Sequence, residues 1–358
     1  MLFHTYLQRI KYATKMTTFS YKSLDSIRSQ DIETFLKSFD TVLTDCDGVL
    51  WNGPRPIKGS PEAIQGLRQL GKRVIFVTNN PRSRTDVLDK CINLGFGGCI
   101  SDVITSSYLC ARYLTLQNFT QKVYAFGSKG LRDELENVGI RHIGCGPDYS
   151  NDIRLSIEGQ GLTVKGLKDP DPEVGAVIVS FSRDPPFNYE RIVEITHYLN
   201  QKITIDPAAG KEGNVDRETI DMPFIVSDPD PVIPAMNHET KQKVKVPGTG
   251  VFAAAVEAAV KRSPIIVGKP SSFVFNVISQ DNPDITPERT LMIGDNLDTD
   301  IQLGKNCNLI TLLVGSGIHS IHDLEHNQVS TDIVKSSLVP NFFASSLGVL
   351  VSHINNIP

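Results

Sequence analysis

Several features are absent from this 358-residue chain. No apolar run approaches the ~20 residues that cross a bilayer, so no segment reads as a membrane span. Six cysteines (Cys46, Cys91, Cys99, Cys110, Cys145 and Cys307) are scattered without a CxxC pair. That argues against a zinc site and a disulfide framework, and for a reducing compartment. The net charge is only -4, which gives no reason to expect nucleic acid or an anionic membrane as partner. There is no tandem repeat and no low-complexity tract. Neither the P-loop nor the dinucleotide glycine pattern occurs. Gly248-Thr249-Gly250 precedes an alanine-rich stretch and reads as a tight helix entry.

What remains is an ordinary globular composition, 21% charged and 40% hydrophobic, in a chain long enough for two domains. Residues 1–30 read as a basic extension ahead of the fold, with Arg9, Lys11, Lys15, Lys22 and Arg28 against a single acid, Asp25. Met16 is an alternative start. The same composition overlaps with a mitochondrial transit peptide, so the expected cytoplasmic location has a mitochondrial alternative.

From Phe39 onward, short apolar runs alternate with longer mixed stretches, the pattern of βα units on a parallel sheet. Residues 42–44 and 74–77 read as strands. Residues 61–70 read as a helix with Ser60 as N-cap and Gly71 after its last turn. Residues 84–94, closed by Gly95, and 106–116 read as two more helices. The composition shifts at residue 121. Residues 121–247 hold their own runs at Val123-Tyr124-Ala125-Phe126, Ala176-Val177-Ile178-Val179 and Phe224-Ile225-Val226, with a helix over 189–199. The apolar-poor stretches 148–172 and 206–222 read as surface loops. The first pattern then resumes with strands at 264–267, 290–293 and 309–314, continuous β-branched runs of the kind that parallel strands buried on both faces require. The expectation is an α/β fold: a doubly wound, Rossmann-like parallel-sheet core from 31–120 and 248–358, with 121–247 inserted as an α/β cap.

The strand ends carry the chemistry. Asp45 and Asp47 leave the first strand on one side, because residues two apart share a face. Thr78-Asn79-Asn80 follows the second strand, Lys269 follows 264–267, and Asp295, with Asp298 and Asp300, follows 290–293. Each has a plainer reading alone: an aspartate turn, a strand-to-helix cap, a loop lysine, helix-start acids. Their joint placement along one sheet edge is what points to a site. Asp45, Asp47 and Asp295 offer only oxygen, which suits a hard cation such as Mg²⁺. An aspartate could then attack phosphorus to give an aspartyl-phosphate. Thr78, the N–H groups that follow it and Lys269 would hold phosphoryl oxygens. Asp47 could protonate the leaving oxygen and later deprotonate water.

These residues resemble the haloacid dehalogenase-like phosphatase superfamily. Asp45-Cys46-Asp47-Gly48, Thr78, Lys269 and Gly294-Asp295 through Asp300 match its four motifs in order. The stretches DCDGVLW, FVTNN, LGFGG, PGTG, VGKPSS and MIGDNLDTDI are similar to the 4-nitrophenylphosphatase, phosphoglycolate phosphatase and pyridoxal phosphatase branch. The resemblance implies Asp45 as nucleophile and metal ligand, and Asp47 as general acid/base bound to metal through its carbonyl. It implies Asp295 as the third ligand, Asp300 in support, and Thr78, Asn79, Asn80 and Lys269 as phosphate binders. The branch usually carries a cap loop Thr-Asn-x-Asp-x-x-x-Pro, where this chain reads Ser227-Asp228-Pro229-Asp230-Pro231-Val232-Ile233-Pro234. Asp230 is kept. Asp228 replaces an amide, and an added carboxylate near the entrance should disfavour very acidic substrates. Ile233 is closer to the leucine of phosphoglycolate phosphatases than to the histidine of pyridoxal phosphatases.

The expected function is therefore a Mg²⁺-dependent phosphomonoesterase for a small metabolite, phosphoglycolate or glycerol 3-phosphate, with 4-nitrophenyl phosphate as an artificial substrate. The alternatives are a pyridoxal phosphate or phosphoprotein phosphatase, and a catalytically weak partner-binding protein. The family also implies a homodimer through the cap.

Overall fold

The computed structural model describes residues 21–145, 153–158, 161–183, 186–205, 218–328 and 338–356. Two parallel sheets organise it. The larger has seven strands in the order Lys22–Ser23, Phe342–Ala344, Ile310–Val314, Thr290–Gly294, Thr41–Thr44, Arg73–Thr78, Val103–Thr105. From Thr41–Thr44 the chain first builds outward through Arg73–Thr78 to Val103–Thr105. It later returns to the other side of Thr41–Thr44 at Thr290–Gly294. The strand order therefore reverses between Thr41–Thr44 and Thr290–Gly294, and a crevice opens there at the carboxyl ends. Val42, Leu43, Leu291, Met292 and Ile293 are fully buried, as strands covered by helices on both faces must be.

The second sheet has five strands in the order Ile265–Ile266, Phe224–Val226, Val174–Val179, Lys122–Phe126, His142–Ile143, all parallel. Here the expected division needs correcting. Residues 264–267 were read as a core strand, but Ile265–Ile266 pairs with Ile225 and Val226. The helix Thr249–Val260 buries Ala253 and Val256 among Tyr124, Phe126, Val179 and Phe224. The second unit thus runs past residue 248 to about 266, because nothing in a short β-branched run specifies its sheet.

The amino-terminal boundary also moves. Lys22–Ser23 pairs with Phe342–Phe343, Leu24 is fully buried, and Asp25 accepts hydrogen bonds from Ser345. Residues 21–30 therefore belong to the core; the basic residues before them lie outside the described residues. The expected loop 148–172 contains a hairpin, Arg154–Glu158 with Gly161–Lys165, built on alternating Leu155, Ile157, Leu162 and Val164. In the stretch 206–222, Glu218–Asp221 pairs with Lys202–Ile205, while 206–217 lie outside the described residues. The helix expected at 61–70 is Ser60–Gln69, with Gly59 rather than Ser60 at its N-cap. The Ser60 hydroxyl instead donates to the carbonyls of Leu50 and Ile57.

One apolar cluster joins the two sheets. Leu43, Ile75 and Val77 of the first pack in the same buried group as Val123, Ala125, Ile178 and Ile225 of the second. Each fully buried aliphatic side chain contributes about 1.5–3 kcal/mol, so this shared core holds the two carboxyl edges against one gap. Among the described residues, no helix is long and apolar enough to cross a membrane.

Candidate active site

Asp45 leaves the end of Thr41–Thr44, with its backbone N–H tied to the Ile293 carbonyl at 2.8 Å. Asp295 follows the neighbouring strand, and Asp300 lies one helical turn further on. Carboxylate oxygens of Asp45, Asp295 and Asp300 lie within 4.8 Å of one another, and all three side chains are buried. One cation answers them. The Lys269 ammonium, 3% exposed, donates to Asp45 Oδ1 at 2.5 Å, Asp300 Oδ1 at 2.7 Å and the Val77 carbonyl at 3.2 Å. Lys269 reaches this point from the end of the second sheet, not from a core strand as expected.

Three carboxylates against one ammonium leave a buried negative excess. Burial raises the Asp45 carboxyl well above its usual range despite Lys269, and Asp300 and Asp295 push it further. Burial, then Asp300, pushes Asp295 up to about 7. Burial alone would lower Lys269, yet Asp300 and Asp45 hold its proton more tightly than usual. Such a site favours an added cation. The donors are all oxygen, and two are unclaimed among the described residues: Asp45 Oδ2 and Asp295 Oδ1 accept no hydrogen bond. Asp300 is saturated, since its Oδ1 takes Lys269 and its Oδ2 takes the backbone N–H groups of Asp295 and Asn296 at 3.1 Å each. It therefore ties Lys269 to the backbone at Asp295 and Asn296.

The Asp47 carboxylate stands outside this cluster. Trp51 Nε1 donates to its Oδ1 at 2.9 Å and Asn80 Nδ2 to its Oδ2 at 3.3 Å. Its backbone carbonyl accepts no hydrogen bond among the described residues. Thr78, 4% exposed, accepts from the Asn80 backbone N–H at 3.1 Å and keeps its own hydroxyl proton for another partner.

The amides of the second strand end differ from expectation. Both donor hydrogens of the Asn79 side chain are taken by the protein itself. Its Nδ2 donates to Asp230 Oδ2 and the Lys269 carbonyl, both at 3.0 Å, and its Oδ1 accepts from the Lys269 N–H at 2.9 Å. It clamps the loop at Asp230 to the lysine. Asn80 serves Asp47 and the Arg82 N–H while facing the open cavity.

Asp228 requires a larger correction. It is 3% exposed and points inward, accepting from Ser227 Oγ at 2.7 Å, Thr249 Oγ1 at 3.0 Å and the Asp230 N–H at 3.3 Å. It presents no charge at an entrance and gives no reason to disfavour acidic substrates. Burial, then Asp230, pushes its carboxyl up to about 7. Asp230 is the loop residue that reaches the core. Ile233 is half-buried on the hairpin Val232–Met236 with Lys243–Pro247.

Sequence reasoning placed Gly48 in the first motif without a role toward Asp295 and missed Gly317; both seat Asp295. A Cβ on Gly48 or Gly317 would lie 2.2 or 1.8 Å from Asp295 Oδ2, and Gly48 also has φ +90°. The Ile318 N–H donates to that same oxygen at 2.7 Å. Gly315-Ser316-Gly317 directly after an apolar run was the available signal. A cavity of about 590 Å³ opens beside Asp47, running past Trp51, Thr78, Asn80, Arg82 and Lys90.

Comparison with known proteins identifies the family. A haloacid dehalogenase-like hydrolase model matches residues 42–141, and a HAD-hydrolase-like model matches 266–340. Mouse glycerol-3-phosphate phosphatase is 35% identical over 338 residues, 91% of this chain and 94% of its own. Mouse chronophin is 33% identical over 339 residues, covering 93% and 99%. The fold is similar to a glycerol phosphate phosphatase from Mycobacterium tuberculosis solved in complex with calcium, with TM-score 0.62 and 24% identity, over 88% of this chain and 75% of that one. A carboxylate cluster at the switch point of a parallel sheet, in a chain with these relatives, has one reading: the chain belongs to the haloacid dehalogenase-like hydrolases and is a phosphoric monoester hydrolase.

Proposed function

We propose that the enzyme is Mg²⁺-dependent, works through an aspartyl-phosphate on Asp45, and acts on a small phosphomonoester, glycerol 3-phosphate or phosphoglycolate. The observation that carries this is Asp45 itself: buried, with one oxygen held by Lys269 and the other free beside Asp295. Asp45, Asp295 and the Asp47 carbonyl would hold the cation, and their all-oxygen set suits Mg²⁺. When bound, the ion offsets the charge repulsion between a phosphate dianion and an anionic nucleophile.

The residues divide the work as follows. Lys269 and Asp300 fix the Asp45 carboxylate in its attacking orientation. The Asp45 carboxylate forms a bond to phosphorus as the ester P–O bond breaks, and Asp47 gives its proton to the departing oxygen. Asp47 then takes a proton from water, whose oxygen bonds phosphorus as the P–O bond to Asp45 breaks. The Thr78 hydroxyl and the Asn79 backbone N–H would hold the oxygens of the transferred group.

The mouse glycerol-3-phosphate phosphatase supports the first substrate. The inward Asp228 leaves no charge objection to phosphoglycolate. Chronophin, almost equally similar, keeps pyridoxal phosphate as the second reading, which apolar Ile233 disfavours. The test is turnover of these three esters and of 4-nitrophenyl phosphate with and without Mg²⁺, beside Asp45→Asn. Loss of at least about 10³-fold in the variant, and acid-stable phosphate incorporation into the wild type alone, is expected. Comparable rates in the two proteins would refute the nucleophile.

A further inference from the structure

Asp47 is held by a residue that no motif role includes. The backbone turns sharply after Asp47: the Leu50 and Trp51 N–H groups both donate to the Cys46 carbonyl, and the Gly48 N–H donates to the Trp51 carbonyl at 2.8 Å. This turn returns the indole to the carboxylate four residues earlier, so that Nε1 donates to Asp47 Oδ1 at 2.9 Å. The ring is only 2% exposed and packs edge-on against Phe96, with centroids 5.7 Å apart. The Lys90 ammonium lies 4.2 Å from the ring centroid, and a cation on that face polarises the N–H toward its acceptor. Asp47 is itself exposed, and without this donor the longer contact from Asn80 at 3.3 Å would be its remaining side-chain hydrogen bond among the described residues.

From this geometry we infer that Trp51 is a positioning residue for proton transfer. It holds the Asp47 carboxyl at the mouth of the cavity that would receive the leaving group, and away from the Asp45–Asp295–Asp300 cluster. The inference rests on the acid/base role proposed above for Asp47. Asn80, on the other oxygen, completes the grip. A core tryptophan with no such role would pack the same way, so the two must be separated by a readout other than stability.

Leaving-group chemistry separates them. An alkyl phosphate expels an alkoxide that must be protonated as the P–O bond breaks. 4-Nitrophenolate leaves without a proton. kcat/KM covers only the steps through departure of the alcohol, so it isolates this proton transfer from the later attack of water. The chain contains a single tryptophan. Global replacement of tryptophan by 3-benzothienylalanine therefore exchanges only this N–H for sulfur at nearly constant shape.

In the holoenzyme, kcat/KM for glycerol 3-phosphate and ethyl phosphate is expected to fall roughly tenfold or more, against less than about threefold for 4-nitrophenyl phosphate. Trp51→Phe should show the same bias, and melting curves should show both proteins folded. Equal falls for all esters, or no fall, would overturn the inference. Asp47→Asn is measured alongside. If it lacks the bias, the acid assignment fails, which is distinct from failure of the Trp51 contact. The lone indole N–H resonance supplies an independent check: it should shift in Asp47→Ala, and an unmoved signal would overturn the contact.

Discussion

Asp228→Asn exchanges a buried carboxyl for an amide of the same shape. The amide suits the site: its oxygen can accept from the Asp230 N–H while its NH₂ donates to the Ser227 and Thr249 hydroxyls, both of which also accept. The folded-state value of about 7 lies above the ordinary 3.8. The native state therefore binds this proton more tightly than the unfolded chain, and stability falls as pH rises between those two values. By linkage the ionisation costs roughly 1–2 kcal/mol at pH 5 and roughly 4 kcal/mol at pH 8. The amide carries no such cost. Relative to wild type, the variant should thus gain roughly 2–3 kcal/mol of stability between pH 5 and pH 8, or several degrees in Tm. Thermal melts of both proteins in EDTA, at half-unit pH steps, measure this. Parallel pH profiles would refute the burial argument, as would a variant that loses ground at pH 8.

Other perturbations follow from the same geometry. Gly317→Ala should abolish activity by displacing Asp295, whose Oδ2 would lie 1.8 Å from the new Cβ. Far-ultraviolet circular dichroism should be unchanged, and Mg²⁺ should no longer raise Tm. Lys269→Met leaves Asp45 and Asp300 facing each other without their cation. Breaking a buried ion pair typically costs about 3–5 kcal/mol, so a large drop in denaturation midpoint should accompany loss of turnover.

The positions of Asp45 and Asp295 were legible because strand and charge agree: a largely apolar, uncharged run ends, and the first charged residue is an acid at the reversal of strand order. Lys269 was legible as a site residue but not by its route. Ile265 and Ile266 would suit either sheet, and only pairing with Ile225 and Val226 decides. Asp228 was misread because burial depends on partners distant in sequence; Thr249, which claims its Oδ2, lies 21 residues away. The Asn79 clamp was hidden for the same reason, since Asp230 lies 151 residues along the chain. Trp51 stood in plain view in the first motif. Its N–H became meaningful only when the turn at Gly48 brought it back to Asp47.

The placement of Ile265–Ile266 in the second sheet bears on how far the two units can be exchanged between relatives. A transplant cut at residues 121 and 247 would take four strands of the second sheet and leave its edge strand, with the helix Thr249–Val260, attached to the recipient. The lysine that orients the nucleophile would then hang from a broken sheet edge. Joints near residue 121 and at Val267-Gly268 keep that sheet whole. Even so, the transplanted piece would dictate where Lys269 meets Asp45, so selection for a new substrate is inherited together with the alignment of the nucleophile.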